Sequence, residues 1–392
     1  MHLRLSEEQK MVQQTIRRFV EKELIPLEFE VLKNEREGKP GISPEKLREL
    51  QLKAKEFGFW GINTPEKYGG ADLGQMMLAI VLMEVSKTFV PFTFGGSADN
   101  ILYYGNEEQK KKYLIPTING EKKSCFAITE PGAGSDTRNI RMTAVKDGNE
   151  WVLNGEKTFI TGGNEADFTM AIAITDKEMH AKSKGRKGVT CFIVDRDMGW
   201  KSEFIDTMGE WGPAGLVFDN VRVPEENILG ELHGGYNLGL EWIGFARWVV
   251  GARAVGMAER LLQMAIDYSK ERETFGKPIA DRQAIQWPIA DSAVEIEAAR
   301  WLVLNAAFTL DQEEDNRHLA AMAKLYGANM GNRVVDRVLQ IHGGMGYTRE
   351  LPIERWYREA RLWRIYDGTD EIQRLIISRD LLKGNVRVGQ YV

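Results

Sequence analysis

The hydrophobic period of this chain changes twice, and that constrains its fold more than any single motif. Through the first hundred or so residues, apolar side chains recur at helical spacing. Val12, Ile16, Phe19 and Leu24 follow a capping box opened by Ser6 and Gln9. Ser43-Pro44-Glu45 is a second start signal, an N-cap followed by proline at the first helical position. Leu47, Leu50, Ala54 and Phe57 form its stripe and Gly58 stops it, while 74–90 and 107–115 read as further helices. Near residue 123 the pattern becomes short alternating runs: 141–146, 151–153, 156–160, 168–174, 189–194 and 215–223. Asp147-Gly148 and Asn154-Gly155 are expected hairpin turns between the first three, because such pairs tolerate positive φ. After Gly234-Gly235 the helical period returns. One stripe runs from Val250 to Tyr268, a second from Ile285 to Leu310, a third from Leu319 to Ile341, and a fourth helix starts at Thr369. No βαβ alternation occurs. The expected fold is mainly α with a central β-domain: an N-terminal helical domain over 1–122, a β-barrel-like middle domain over 123–232, and a C-terminal four-helix bundle over 233–392.

Composition narrows the function. A length of 392 residues suits two or three domains, and 43% hydrophobic with 28% charged residues is too apolar for a disordered chain. No apolar run approaches the ~18 residues of a membrane span. Lys and Arg number 52 against 57 acids, a balance of -5 that argues against binding nucleic acid by bulk charge. Cys125 and Cys191 lie far apart in apolar runs and are expected as buried free thiols in a reducing compartment. The histidines His2, His180, His233, His318 and His342 lack metal-ligand spacing, so no metal site is expected. Met1-His2-Leu3-Arg4 leads straight into a helix without a signal or transit segment. The expected location is cytoplasmic, with a mitochondrial matrix form lacking its presequence as the alternative.

Neither G-x-G-x-x-G after a strand, nor a Walker loop, nor a G-x-S-x-G elbow occurs, so nicotinamide, nucleotide-hydrolase and α/β-hydrolase chemistry lack their anchors. Instead, Cys125-Phe-Ala-Ile-Thr-Glu-Pro-Gly-Ala-Gly-Ser-Asp136 leaves an apolar strand for a Gly-rich loop, where backbone can approach a ligand and Thr129 and Ser135 can hydrogen-bond it. Taken alone, this segment could be an ordinary turn. As a whole it resembles the first signature of the acyl-CoA dehydrogenase family. Lys157-Thr-Phe-Ile-Thr-Gly-Gly163 resembles that family's strand beside the flavin, and Glu271-Arg-Glu-Thr-Phe-Gly-Lys277 with Gln283 its FAD-contacting helix end. Gln340-Ile-His-Gly-Gly-Met-Gly-Tyr347 resembles its pyrophosphate and adenosine loop. Ile365-Tyr-Asp-Gly-Thr-Asp-Glu-Ile-Gln-Arg374 resembles its C-terminal signature. The motifs stand in the family's order over nearly the full length.

The resemblance implies FAD held between the β-domain and the bundles of a homodimer or homotetramer. On that basis Phe126, Ile128, Thr129, Gly134 and Ser135, with Phe159, Ile160 and Thr161, contact the flavin of their own subunit. Arg272, Thr274 and Gln283, with Gln340, Gly343 and Gly344, reach the FAD of a neighbouring subunit, and Thr369 and Glu371 touch it from the last helix. Ser135, Phe245, Arg247 and Gly368 take positions that contact the acyl-CoA substrate. Taken singly, most of these residues have plainer readings: Arg272 as a helix-end charge, Gly343 and Gly344 as a helix cap.

The family reaction removes an α-proton with a carboxylate and passes the β-hydrogen to the flavin, with an electron-transfer flavoprotein as the expected oxidant. Most members place Glu after Tyr in the last signature; here the residue is Asp367. A minority carry the Glu on the first long C-terminal helix, where this chain has Ala246. Asp367 is therefore the expected base, in an aromatic setting of Trp363 and Tyr366 that favours a raised pKa. It is one methylene shorter, and an error of about 1 Å can cost roughly a hundredfold in rate. The segment Met208-Gly-Glu-Trp-Gly-Pro-Ala-Gly-Leu-Val-Phe218 is shorter than the family's equivalent and lacks its Arg and Ser-Asp pair. In Thr88-Phe-Val-Pro-Phe-Thr-Phe-Gly-Gly-Ser-Ala-Asp99 the phenylalanines read as core, or as the floor of a pocket for a bulky or cyclic acyl group. Asp99 reads as a helix cap or solvated acid, with a second pocket carboxylate as the sharper alternative. Three functions compete: dehydrogenation of an acyl-CoA to the 2-enoyl-CoA, flavin chemistry on an enoyl- or cyclic acyl-CoA with shifted proton abstraction, and a flavin-free scaffold of the same fold.

Overall fold

The computed structural model describes residues 5–210 and 212–389, so the readings placed on Met1–Arg4 and on Trp211 lie outside the described residues. The chain forms two compact units. One comprises the residues up to Asn63, Ala71–Phe94 and everything from Phe245 on; the other comprises Thr64–Gly70 and Gly95–Gly244. The N-terminal and C-terminal helices share one core, and residues 95–122 belong with the sheet, because burial follows spatial neighbours rather than chain order.

In the helical unit, Ser6 and Gln9 form the expected capping box around the start of Glu7–Phe19, and Ser43 caps Pro44–Glu56 through the Lys46 amide. Ile16, Phe19, Leu50 and Ala54 from these helices lie in the same core as Val255, Leu261, Val303 and Val334 from the C-terminal ones. Each such large side chain contributes about 1.5–3 kcal/mol by leaving water. Polar contacts fix the packing angle. Asp311, the last residue of Gln283–Asp311, accepts from the amides of Gln75 (2.6 Å) and Met76 (2.9 Å) at the start of Gly74–Val85. Arg355, almost fully buried, donates to both carboxylate oxygens of Glu35 at 2.9 Å. Gly256 is needed where the helix Gly235–Glu271 meets Gly74–Val85, since a Cβ there would stand 2.1 Å from the Met83 carbonyl oxygen. The remaining C-terminal helices are Arg317–His342, Ile353–Leu362 and Asp370–Leu382, the last capped by Thr369. Phe89 and Phe92 lie in this core, as the plainer reading has it.

The other unit is built on an eight-stranded sheet: β1 Ser124–Ala127, β2 Thr143–Asp147, β3 Glu150–Ile160, β4 Phe168–Ile174, β5 Val189–Asp195, β6 Lys201–Phe204, β7 Ala214–Pro224 and β8 Ile228–Leu229. The order is β6-β7-β3-β2-β4-β5-β8, with β1 parallel to β4. Its end strands, β6 with four residues and β8 with two, are not paired with each other among the described residues. Alternation sends Phe126, Met170 and Ile172 to one apolar cluster and Cys125, Ala171 and Ala173 to the other. Both cysteines are buried and free, and burial pushes their thiols up to about 11 for Cys125 and about 12 for Cys191.

One expected turn is absent. Gly148-Asn149 joins β2 to β3, but Asn154-Gly155 lies inside β3, at a register shift against β7. Gly155 adopts φ 147°, and a Cβ there would stand 2.8 Å from the Met142 Cα. The glycine serves a bulge with close strand approach, not a hairpin.

Candidate active site

In the sheet unit, the expected flavin residues gather where β1 runs into its loop. The Thr158 amide donates to the Thr129 carbonyl at 2.9 Å and ties the end of β3 to that loop. Glu130 organises the turn: it accepts from the amides of Arg141 (2.5 Å) and Met142 (3.0 Å) and from Lys157 Nζ (2.8 Å). Lys157 also donates to the Ile128 carbonyl at 3.1 Å, and burial pulls its ammonium pKa down, opposed by Glu130. Glu130 and Lys157 are both buried. This ion pair escaped the sequence reading, although both residues stand inside the quoted motifs.

Three expected contacts have side chains that point elsewhere. Phe126, Ile128 and Ile160 are buried in the unit's two apolar clusters, leaving only their backbones for a ligand. Gly134, Ser135 and Thr161 are exposed and Thr129 is half-buried. Phe159 is 63% exposed at φ 58°, a left-handed conformation that bulky residues rarely adopt outside functional sites. Asp99 stands at the start of Asn100–Tyr104 without a side-chain cap bond; half-buried, it accepts from Ser124 Oγ (2.5 Å) and Trp242 Nε1 (2.7 Å), and the Trp242 ring stacks on Phe126 at 4.6 Å.

In the helical unit, two corners converge. The Arg272 amide donates to Tyr268, whose ring stacks on His342 at 4.4 Å, so the Arg272–Thr274 turn adjoins the loop that carries Gln340, Gly343 and Gly344. Arg272, Gln283, Gln340, Gly343 and Gly344 are exposed and Thr274 is half-buried. Among the described residues, the Arg272 guanidinium makes no recorded hydrogen bond or ion pair, leaving a donor fork open to an anion.

The third group surrounds Asp367. Asp367 and Gly368 are consecutive left-handed residues, at φ 53° and 90°, just before the Thr369 cap. Burial raises the Asp367 carboxyl pKa, while Lys324, Arg253 and Arg247 pull it back. Tyr366 is pushed up by the same burial. Arg247, 8% exposed, has its guanidinium pKa lowered by burial and its Nε without a partner. Phe245, two residues before Arg247, is half-buried and edge-on to Trp248. Glu371 is exposed, its carboxyl held low by its own backbone amide and Thr369. Asp370, buried, accepts from Arg364 (2.8 Å) and Asn329 (3.0 Å). Lys324 and Arg253 were missed, since nothing in their local sequence marks them as neighbours of Asp367; Asp370 stands three residues beyond it in the same C-terminal signature but was not singled out. The Asp367 carboxylate itself makes no recorded hydrogen bond among the described residues.

Among the described residues no His, Cys, Asp or Glu cluster could hold a metal, and no helix is long and apolar enough to cross a membrane. The descriptions "Acyl-CoA dehydrogenase, N-terminal domain", "middle domain" and "C-terminal domain" match residues 6–121, 125–221 and 233–382. The chain is 39% identical over 390 residues to the caffeyl-CoA reductase-Etf complex subunit CarC of Acetobacterium woodii, covering 96% of this chain and 99% of that protein. It is 38% identical over 392 residues to a 3-(aryl)acrylate reductase of Clostridium sporogenes, covering 96% and 99%. The structure of butyryl-CoA dehydrogenase from Megasphaera elsdenii superposes with a TM-score of 0.85 at 33% identity, covering 97% of this chain and all of that one. Its relatives are dehydrogenases and reductases working on carbon–carbon bonds, and the chain belongs to the acyl-CoA dehydrogenase family of oxidoreductases.

Proposed function

We propose that this protein is an FAD-dependent enzyme that interconverts an acyl-CoA and its 2-enoyl-CoA, with Asp367 as the group that takes the α-proton. The observation that carries the reading is the Asp367 turn: a desolvated carboxylate with no hydrogen-bond partner of its own, facing Lys324, Arg247 and Arg253. A base needs that combination, a raised pKa to accept the proton and a free oxygen to reach it. Gly368 and Arg247 adjoin it, in keeping with their expected contact with the thioester.

FAD suits the residues present. Cβ atoms at Gly132, Gly134, Gly343 and Gly344 would meet nothing within 4 Å, so two exposed backbone stretches stand open to a large ligand. Thr129, Ser135 and Thr161 offer hydroxyls on the sheet side, and Arg272 with Gln340 suits the pyrophosphate. Bound there, FAD supplies the two-electron acceptor for the β-hydrogen. Phe159, exposed at the end of β3, is suited to lie against a flat ring system.

Arg272, Thr274, Gln283, Gln340, Gly343 and Gly344 are assigned to the FAD of a second copy of this chain. An apolar stripe supports self-association: Trp287, Val294, Trp301 and Phe308 recur every seven residues along Gln283–Asp311, from 38% to 71% exposed. The electron partner is an electron-transfer flavoprotein, as the name of the Acetobacterium relative suggests. That name and the Clostridium relative's also favour a second reading, in which the enzyme runs toward reduction of an enoyl-CoA.

An anaerobic screen of saturated, branched, cyclic and aryl-substituted acyl-CoA thioesters tests the main reading. Bleaching of the flavin band by at least one thioester is expected, and Asp367→Asn should keep FAD but abolish the bleaching. Protein that takes up no FAD would falsify the whole reading, and bleaching unchanged in Asp367→Asn would move the base elsewhere.

A further inference from the structure

Lys324 lies on Arg317–His342 with no exposed surface, an unusual place for an ammonium group. It does not seek a carboxylate. Its Nζ donates to the Gly368 carbonyl at 2.5 Å, and Gln373 Nε2 donates to the same oxygen at 2.7 Å and to the Asp367 carbonyl at 3.2 Å. These bonds clasp the backbone of two successive left-handed residues, a conformation that persists only where its surroundings hold it. Asp370, three residues beyond Asp367, accepts from Arg364 and Asn329 on Oδ2, while its buried Oδ1 has no partner among the described residues.

We propose that Lys324 is a positioning residue for Asp367: its buried ammonium holds the Asp367–Gly368 turn by the Gly368 carbonyl and supplies positive charge against which the Asp367 carboxylate ionises. The inference rests on Asp367 as the base. The charged groups around Asp367 are Lys324, Arg253 and Arg247, with the Tyr366 phenol beside it. Those around Lys324 are Asp367, Asp370, Arg247 and Glu371. Of the three cations, Lys324 pulls most strongly on Asp367, and it is the one tied to the same turn. Burial brings Lys324 itself down to about 8, so its charge is present at neutral pH and fades above it.

The test is the pH dependence of single-turnover flavin reduction by the best thioester, in flavin-loaded Lys324→Met, Lys324→Gln, Lys324→Arg and Gln373→Leu. Loss of the charge should move the ionisation of the base upward by about one unit or more. Reduction below that limb then slows about tenfold per unit, with KM for the thioester little changed. Lys324→Met and Lys324→Gln should both show the shift. Lys324→Arg should keep the limb near its native position, and Gln373→Leu, which removes an uncharged donor, should leave it there. An unmoved limb in Lys324→Met and Lys324→Gln, or an equal shift in Gln373→Leu, overturns the assignment. So does failure of all three lysine variants to fold, because the lysine is then a structural requirement. Asp367→Asn separates the two ideas: normal flavin reduction there sinks the base itself, whereas an inert Asp367→Asn beside an unmoved limb in the lysine variants sinks Lys324 alone.

Discussion

Each unit buries a lysine near a carboxylate, and the two are wired in opposite ways. In the sheet unit, Lys157 bonds Glu130 directly at 2.8 Å, and the remaining oxygen capacity of Glu130 goes to the Arg141 and Met142 amides. Every lone pair that matters is occupied. In the helical unit, Lys324 bonds the Gly368 carbonyl next to Asp367 and leaves the Asp367 carboxylate free. A fully satisfied buried pair fixes a loop; a desolvated carboxylate in a positive field, with no bond of its own, can accept a proton. The difference separates scaffold from chemistry more sharply than burial or conformation does.

The largest effect should come from Asp367→Asn, which removes the proposed proton acceptor while keeping shape. Flavin reduction by acyl-CoA should fall by about 10²–10⁴-fold in anaerobic stopped-flow, with FAD content unchanged. Asp367→Glu sharpens the same point. If the thioester sits as in family members with Glu, the rate holds or rises; if the pocket is built round the shorter acid, the rate falls and substrate preference shifts.

Lys157→Met should act on the opposite axis. Removing one partner of a buried ion pair leaves an uncompensated charge, and about 3–5 kcal/mol of stability should be lost in urea unfolding. Loss of flavin reduction with full stability in this variant would break the distinction between the two sites.

Arg272→Ala comes next in size. If its open guanidinium meets the FAD phosphates, loss of a charge-assisted hydrogen bond should weaken FAD binding by about 1.5–3 kcal/mol, read by flavin release on dialysis. Thermal unfolding of the apoprotein should barely change, since an exposed helix-end charge is worth only about 0.3–1 kcal/mol. Full retention of flavin would return Arg272 to that plainer role.

The smallest effect is the most discriminating. The Asp367 carboxyl is raised in the folded state, so it costs stability once the pH exceeds the unfolded value of about 4, and the cost grows until the folded value is passed. Asp367→Asn should therefore be neutral or slightly stabilising at pH 8, and the gain should vanish in acid. A destabilised Asp367→Asn would mean that the carboxylate is bonded after all and that the contrast with Glu130 fails.

Much of this was legible in the residues. Local signals are short-range, so the Ser6 capping box, the Ser43 cap, the Thr369 cap and the strand 168–174 stand where spacing put them. The glycine-rich segments and the last signature, read together in order, were enough to name the family in spite of the Asp that replaces its usual Glu. Asn154-Gly155 misled because the same dipeptide serves a turn or a bulge, and only the close approach of Met142 decides between them.

The sequence by itself determined the helix–sheet–helix order, the family and the identity of Asp367 as the odd acid of its motif. Tertiary structure decided which helices share a core, since Asp311 reaches the start of Gly74–Val85 across more than two hundred residues of chain. It also decided the surroundings of Asp367. Lys324, 43 residues upstream, and Arg247 and Arg253, more than a hundred upstream, meet it through packing alone, and electrostatic and hydrogen-bond contacts depend on distance in space, which no local pattern of residues encodes.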